Sequence, residues 1–196
     1  VAAGGGVWHR GGAEPAEGVA GFQLWLALDE SRELEPAASA YFPPEQVPSR
    51  GPVRVALGEY EGLQSPVPSP AGVTYLQVEL AEGERVVLPR PSGTVAFLAT
   101  LKGRVTVQLG STPAGHLEGV ELVELGPVGG DVLLEASRPT QLVFGHAPPH
   151  PHPLVLGQYS VHTSPAALRV GEEGIERLHR GLQDHVRVQP GSRQDL

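Results

Sequence analysis

The sequence predicts an all-β protein of short antiparallel strands followed by one C-terminal helix. Three observations carry this. In RVTVQL, Val105, Val107 and Leu109 alternate with Arg104, Thr106 and Gln108, and Leu76, Val78 and Leu80 form a second such row. A period of two is that of a half-buried strand. Glycine (26) and proline (20) make up close to a quarter of the 196 residues and mostly punctuate apolar runs, which reads as many tight turns. Beyond Ser164 the spacing changes, and Leu168, Ile175, Leu178 and Leu182 recur at helical intervals.

Composition narrows the function classes. With 40% hydrophobic residues and a mean hydropathy of -0.11, the chain is expected to be a soluble globular protein with a sizeable core. No apolar run approaches membrane-spanning length. The first residues are Gly-rich instead of basic and then apolar, so no signal peptide is expected. There are no cysteines, which excludes disulfides and thiolate chemistry and fits a cytoplasmic location. A net charge of -8 argues against a broad nucleic-acid-binding face.

Taken in order, Val1–Arg10 (VAAGGGVWHR) is a Gly-rich turn running into a histidine. In GFQLWLALD, Phe22, Leu24 and Leu26 alternate with Gln23 and Trp25, which predicts a strand. Strands separated by Gly turns follow across Val73–Leu109, with Gly103 between AFLATL and RVTVQL. Further strands are expected at Val120–Leu125, Asp131–Ala136 and Thr140–Gly145. His146–Leu154 (HAPPHPHPL) reads as a solvated loop, because alternating prolines favour an extended polyproline-like chain. Its His146, His150 and His152 are candidates for adventitious uptake of a surface metal. Ser164 as N-cap and Pro165 at the first helical position start the helix. Gly171 and Gly174 weaken it by about 1 kcal/mol each against alanine, and the tail from His185 is expected to fray.

The spacing of one stretch is more specific than its alternation. Gly83, five residues, Pro89-x-Pro91, four residues, Ala96, six residues and Gly103 resembles the first cupin motif, G-x5-H-x-H-x3-4-E-x6-G. The His, His and Glu of that motif bind a metal inside a small β-barrel. Pro127-x-Gly129 resembles the start of the second motif, whose histidine position falls on Val132. Proline, alanine and valine side chains offer a metal no donor atom, so the resemblance implies a jelly-roll-type cupin barrel whose interior around Pro89, Pro91, Ala96 and Val132 is metal-free.

The order of motifs along the chain resembles the pirin family of bicupins. A-G-G-G-V-W-H followed by G-F-Q-L-W-L-A-L is similar to the family's T-A-G-x-G-I/V-x-H-x-E and G-x-Q-L-W-V/L-N-L. ELEPAASAYFPPEQVP (Glu33–Pro48), VRVALGEYEGLQSPV (Val53–Val67), TYLQVELAEGE and GQYSVHTSPAAL (Gly157–Leu168) resemble later family segments in the same order. The resemblance covers nearly all of Val1–Leu182. It implies an iron-type site in the N-terminal barrel, built from an H-P-H pair, a third histidine and a glutamate two residues later. His9 matches the third histidine and is the one remnant metal ligand; the glutamate position is Gly11, with Glu14 and Glu17 nearby in the loop. The H-P-H strand would lie before Val1, so on this resemblance the chain, which has no methionine, is N-terminally incomplete. His150-Pro151-His152 has the letters of that pair but falls in the loop after the last barrel strand.

These readings give a domain plan: 1–29 as the remnant of an N-terminal barrel, 30–52 a linker, 53–163 a C-terminal cupin barrel, 164–184 a helix and 185–196 a tail. The expected function is a metal-free, non-catalytic binding or regulatory module, with no catalytic residue and no cofactor in this chain. A protein or a small flavonoid-like molecule is the expected kind of partner. The alternative is a metal-dependent quercetin 2,3-dioxygenase-like oxidoreductase, with iron or another divalent metal, should upstream residues supply the missing histidines.

Overall fold

The structure, a computed structural model, describes residues 1–8, 21–126 and 128–188, the last six as helix backbone. The chain forms two units: Tyr41–Pro149, and Val1–Ala40 together with His150–Leu196.

The first unit contains β1 (Ser49–Arg50), β2 (Val53–Leu57), β3 (Glu59–Tyr60), β4 (Leu63–Gln64), β5 (Thr74–Leu80), β6 (Arg85–Leu88), β7 (Val95–Leu109), β8 (Thr112–Glu118), β9 (Glu121–Leu125) and β10 (Val132–Ala147). Two long strands organise it. β7 and β10 pair antiparallel along their whole length, from Leu109 opposite Val132 to Val95 opposite Ala147. At one end β10 takes β6 on its free edge and β7 takes β8. At the other end β10 takes β5, extended by β2 and β1, and β7 takes β9. Every pairing is antiparallel, as the sequence predicts.

The two halves face each other because both long strands bend. Register shifts gather between Ala136 and Leu142, and such irregularities increase local twist and curvature. The halves therefore close on one apolar cluster. Val53, Val55, Leu76 and Val78 come from one side and Leu88, Val105, Val132 and Leu134 from the other, all essentially inaccessible to water. The alternation of the predicted strands is realised: Leu76, Val78 and Leu80 are buried while Gln77 and Glu79 are exposed. Truncating one of these leucines to alanine costs about 2–5 kcal/mol in cores of this kind.

The expected turn at Gly103 does not form; β7 continues through it, and the strands predicted at Asp131–Ala136 and Thr140–Gly145 merge into one, β10 (Val132–Ala147). Gly103 has φ +93°, and a Cβ there would lie 2.3 Å from the carbonyl oxygen of Pro139. The glycine permits a close crossing at the bend, a role that a turn glycine shares in sequence but not in structure. Thr140, 2% exposed, pins the same point. Its hydroxyl accepts from the Arg104 N–H (3.0 Å) and donates to the Arg138 carbonyl (2.7 Å).

The second unit holds β11 (Val155–Leu156), β12 (Val161–His162) and α1 (Pro165–Val188). Ser164 caps the helix as expected, its hydroxyl accepting from the Ala167 N–H (3.2 Å). The buried face of α1 differs from the expected one. Leu178 and Leu182 are about half exposed, and the inward row is Ala167, Gly171, Gly174 and Ile175. The two glycines read as weak points are the contact surface: a Cβ on Gly171 would meet the His162 ring at 2.2 Å, and one on Gly174 the Gly5 carbonyl oxygen at 2.4 Å. The helix also continues to Val188, past the predicted fraying point at His185, since no glycine or proline interrupts that stretch.

The strand predicted over Phe22–Leu26 is absent. Gly21–Leu28 pairs with no strand among the described residues, and Phe22, Trp25 and Leu26 are exposed. Among the described residues, 1–8 make one β contact, a bridge between Ala2 and Ala38. An alternating pattern needs a neighbouring strand to satisfy its backbone groups, and no described segment supplies one. No described helix is long and apolar enough to cross a membrane.

Candidate functional site

At one end of the barrel the inward rows of β6, β7 and β10 converge on polar side chains. On β6, Val86 and Leu88 point inward, and the alternation continues beyond the strand to Arg90, which is 5% exposed. Pro89 and Pro91 consequently face outward and are exposed. This corrects the expectation that both prolines line the interior; Ala96 and Val132 are buried as expected. The correction follows from parity, because a shift of one residue exchanges the two faces of a strand. On β10, Leu142 and Phe144 are buried and His146 follows in the same row, opposite Ala96 of β7 and Thr74 of β5. His146 therefore belongs to a strand and is half-buried, and the solvated loop begins only after Ala147.

An open pocket of about 610 Å³ lies over this end. Its walls come from the β3–β4 hairpin, the 69–74 loop, Pro91–Thr94 and the end of β10, with His146 among them. Gly72 allows its loop to close on Pro148, since a Cβ there would lie 2.9 Å from the proline ring. The Thr94 hydroxyl donates to the Pro91 carbonyl (2.7 Å) and holds that loop in shape.

The electrostatics are unusual for a barrel interior. Arg90 donates from one guanidinium nitrogen to the Gly126 carbonyl (2.9 Å), but its Nε–H has no acceptor among the described residues. None of the ion pairs among the described residues includes it. A buried cation without a counter-charge is costly. His146 presents a buried Nδ1 that also lacks a partner. Burial lowers its pKa below the usual imidazole value, and the positive charge of Arg90 lowers it further.

These residues do not fit a metal centre. A single imidazole is too few donors and the guanidinium repels a cation, and no group of three His, Asp or Glu side chains gathers in ligating geometry among the described residues. His9, Gly11, Glu14, Glu17 and Pro127 lie outside the described residues. Of the H-P-H run, His150 has both ring nitrogens engaged: Nε2 lies 3.1 Å from the Leu28 carbonyl oxygen and Nδ1 3.0 Å from that of His152. His152 sits 3.8 Å from the Glu30 carboxylate. His150 is thus an anchor for its loop, not a solvated ligand.

Sequence reasoning missed two polar groups. Arg90 was legible: it continues the inward row of Val86 and Leu88, and a charge at such a position marks a site. Glu33 was not. It is 4% exposed in the second unit, where it accepts from the Thr163 N–H (2.7 Å), the Thr163 hydroxyl (2.6 Å) and His162 Nδ1 (3.2 Å). Burial alone would raise its pKa, but the Thr163 hydrogen bonds and His162 outweigh burial and hold it below the ordinary value.

No family model and no curated protein matches the chain. Solved structures do. Two structures of quercetin 2,3-dioxygenase from Acinetobacter baumannii align with TM-scores of 0.68 and 0.61 at 20% and 17% identity. They cover 78% and 75% of this chain and 52% and 48% of their own. GK1651 from Geobacillus kaustophilus aligns with a TM-score of 0.56 at 16% identity, over 63% of this chain and 51% of its own. The chain spans about half the length of the solved proteins it resembles. At these identities the likeness establishes architecture: the Tyr41–Pro149 unit is a cupin-type β-barrel, and the chain carries one C-terminal helix.

Proposed function

We propose that this chain is a pirin-like cupin whose barrel serves as a metal-free binding module. The observation that carries this reading is the inward row at the barrel mouth. It presents Arg90, Ala96 and His146 where a metal-dependent cupin needs several anionic or neutral donors. The pocket above it is of a size that holds a small molecule. In the same reading, residues 1–29 are the end of a first barrel, with His9 as a remnant ligand, and 30–52 join it to the second.

A second reading, a quercetin 2,3-dioxygenase-like oxidoreductase using iron, is supported by the fold it shares with two solved structures of quercetin 2,3-dioxygenase. The two readings separate in one experiment on the purified chain: elemental analysis, melting with and without EDTA, and oxygen uptake with quercetin. The binding-module reading expects substoichiometric metal, an unchanged melting temperature in EDTA and no quercetin-dependent oxygen uptake. Iron near one equivalent, with turnover lost on His9→Ala, would replace it with the oxidoreductase reading.

A further inference from the structure

The second unit has a cavity of its own, about 460 Å³, along one face of α1. Three carboxylates line it. Glu176 follows Glu172 by four residues and Glu173 by three, the spacing that sets helical side chains beside one another. Among the described lining residues the one permanent cation is Arg169, and it forms an ion pair with none of the three. The cavity therefore carries net negative charge.

An exposed acidic helix face alone is simply a solvated face; two aromatic rings make this one different. Trp8 and Tyr159 line the same cavity and are 45% and 58% exposed, so neither serves as core. Both are nevertheless held in place. The Trp8 indole N–H donates to the Ile175 carbonyl (3.3 Å), and its ring packs on His179 with centroids 5.4 Å apart. The backbone N–H of Tyr159 donates to the Glu172 carboxylate (3.0 Å), and its phenol oxygen accepts from the Gln158 amide (3.0 Å). Ser160 donates its hydroxyl to the same Glu172 oxygen (3.1 Å), which fixes that carboxylate as well.

Negative charge and aromatic faces attract the same kind of ligand, a cation. A bare metal ion is a poor match, because no group of three His, Asp or Glu side chains gathers in ligating geometry among the described residues. An organic ammonium ion needs no such ligand set. Its charge is spread over the carbons around nitrogen, which rest on ring faces while carboxylates balance the charge at longer range. The cavity is of a size that holds such a molecule.

We propose that this cavity binds a methylated ammonium group, with Trp8 and Tyr159 as its aromatic walls and Glu173 and Glu176 as its counter-charge. The site lies wholly in the second unit and goes beyond the binding-module reading of the barrel, so neither depends on the other's outcome.

Choline is the probe, and 3,3-dimethylbutan-1-ol, with carbon in place of the nitrogen, is its uncharged counterpart of nearly the same shape. Titration calorimetry of the full chain at constant ionic strength is expected to show saturable choline binding and none of the alcohol. Trp8→Leu is expected to weaken choline binding about two- to thirtyfold, the range that cation–π contacts span from exposed to desolvated sites. Trp8→Phe should keep more of the affinity than Trp8→Leu, and Glu173→Gln should weaken binding without touching either ring. Should Trp8→Leu not fold, Tyr159→Leu and Glu173→Gln, both at exposed positions, decide the matter. Cosedimentation with phosphatidylcholine vesicles as well as choline binding would assign the ammonium to a lipid headgroup, and choline binding without it to a free solute. Absence of choline binding, equal binding of the alcohol, or undiminished binding when Trp8 or Tyr159 is leucine would overturn the proposal. Displacement of choline by magnesium at equal charge would also overturn it, since the cavity would then be attracting counter-ions of any kind.

Discussion

The two units of this chain are held together by different physics. The barrel unit is sealed by apolar burial: Val53, Val55, Val78, Leu88, Leu98, Val105, Val132, Leu134 and Phe144 have no accessible surface. The other unit buries only Ala167 and Ile175 among its described apolar residues and leaves Trp25, Leu156 and Tyr159 more than half exposed. Its centre is polar: the Glu33 carboxylate gathers Thr163 and His162, and glycines on α1 bring the helix against His162 and Gly5. A hydrophobic core tolerates imprecision as long as volume is kept. A buried carboxylate does not, because each donor it holds is left unpaired once it is gone. The barrel should therefore break through inserted charge and the other unit through lost geometry.

The largest expected effect is in the barrel. Val105→Asp places a carboxylate in the centre of the core with no partner, and such a buried charge costs several kcal/mol. The variant is expected to lose its cooperative unfolding transition, while Thr106→Asp, on the exposed face one residue along and opposite Glu135, costs only about 1 kcal/mol. Equal urea midpoints for the two variants would show that the inward and outward faces of β7 have been exchanged.

Next comes the polar centre. Glu33→Ala strands the Thr163 N–H and hydroxyl and the His162 nitrogen, for an expected loss of about 3–5 kcal/mol. Its pH dependence is distinctive. The folded pKa of Glu33 lies below its ordinary value, so its contribution is complete above the unfolded pKa and is lost as pH falls through the folded one. Stability of the parent should fall on acidification below about pH 5, and Glu33→Gln should flatten part of that slope. An identical slope in the Gln variant would mean that Glu33 is not the ionised acceptor described.

The same contrast explains what was legible in the sequence. Where burial is apolar, period-two alternation found the strands: Leu76, Val78 and Leu80 on β5, Val105 and Val107 on β7. β8 escaped, because TPAGHLE buries only Leu117 and contains a proline and a glycine. Where burial is polar or depends on close backbone approach, the letters misled. Gly171 and Gly174 read as helix defects and are its contact face, and Gly103 reads as a turn and is a bend inside a strand. Phe22–Leu26 alternates like a strand, and no described segment pairs with it. At the site, spacing pointed to Pro89 and Pro91 when parity from Leu88 points to Arg90. Spacing locates a motif along the chain; only the inward row says which residues the motif presents.

A third pair of variants sharpens the comparison within one helix. Alanine raises helix propensity over glycine by about 1 kcal/mol wherever the added methyl is free. At Gly171 it is not free: the Cβ would sit 2.2 Å from His162 Nε2, against a ring fixed by Glu33. Gly171→Ala is therefore expected to be net destabilising by about 1–3 kcal/mol, in the range for overpacking, and to add less than its full cost once Glu33 is already alanine, because the ring is then able to yield.

The smallest expected effect has the opposite sign. Gly181 lies on the exposed side of the same helix, and a Cβ there meets nothing within 4 Å. Gly181→Ala should express only the propensity term and stabilise by at most about 1 kcal/mol, less if the last turns of the helix contribute little to the cooperative unit. Chemical denaturation of the two alanine variants beside the parent measures both signs under one condition. Destabilisation at both positions would mean that α1 packs on a second face. Stabilisation at both would mean that the His162 ring moves aside without cost and that the polar centre is softer than the Glu33 hydrogen bonds imply.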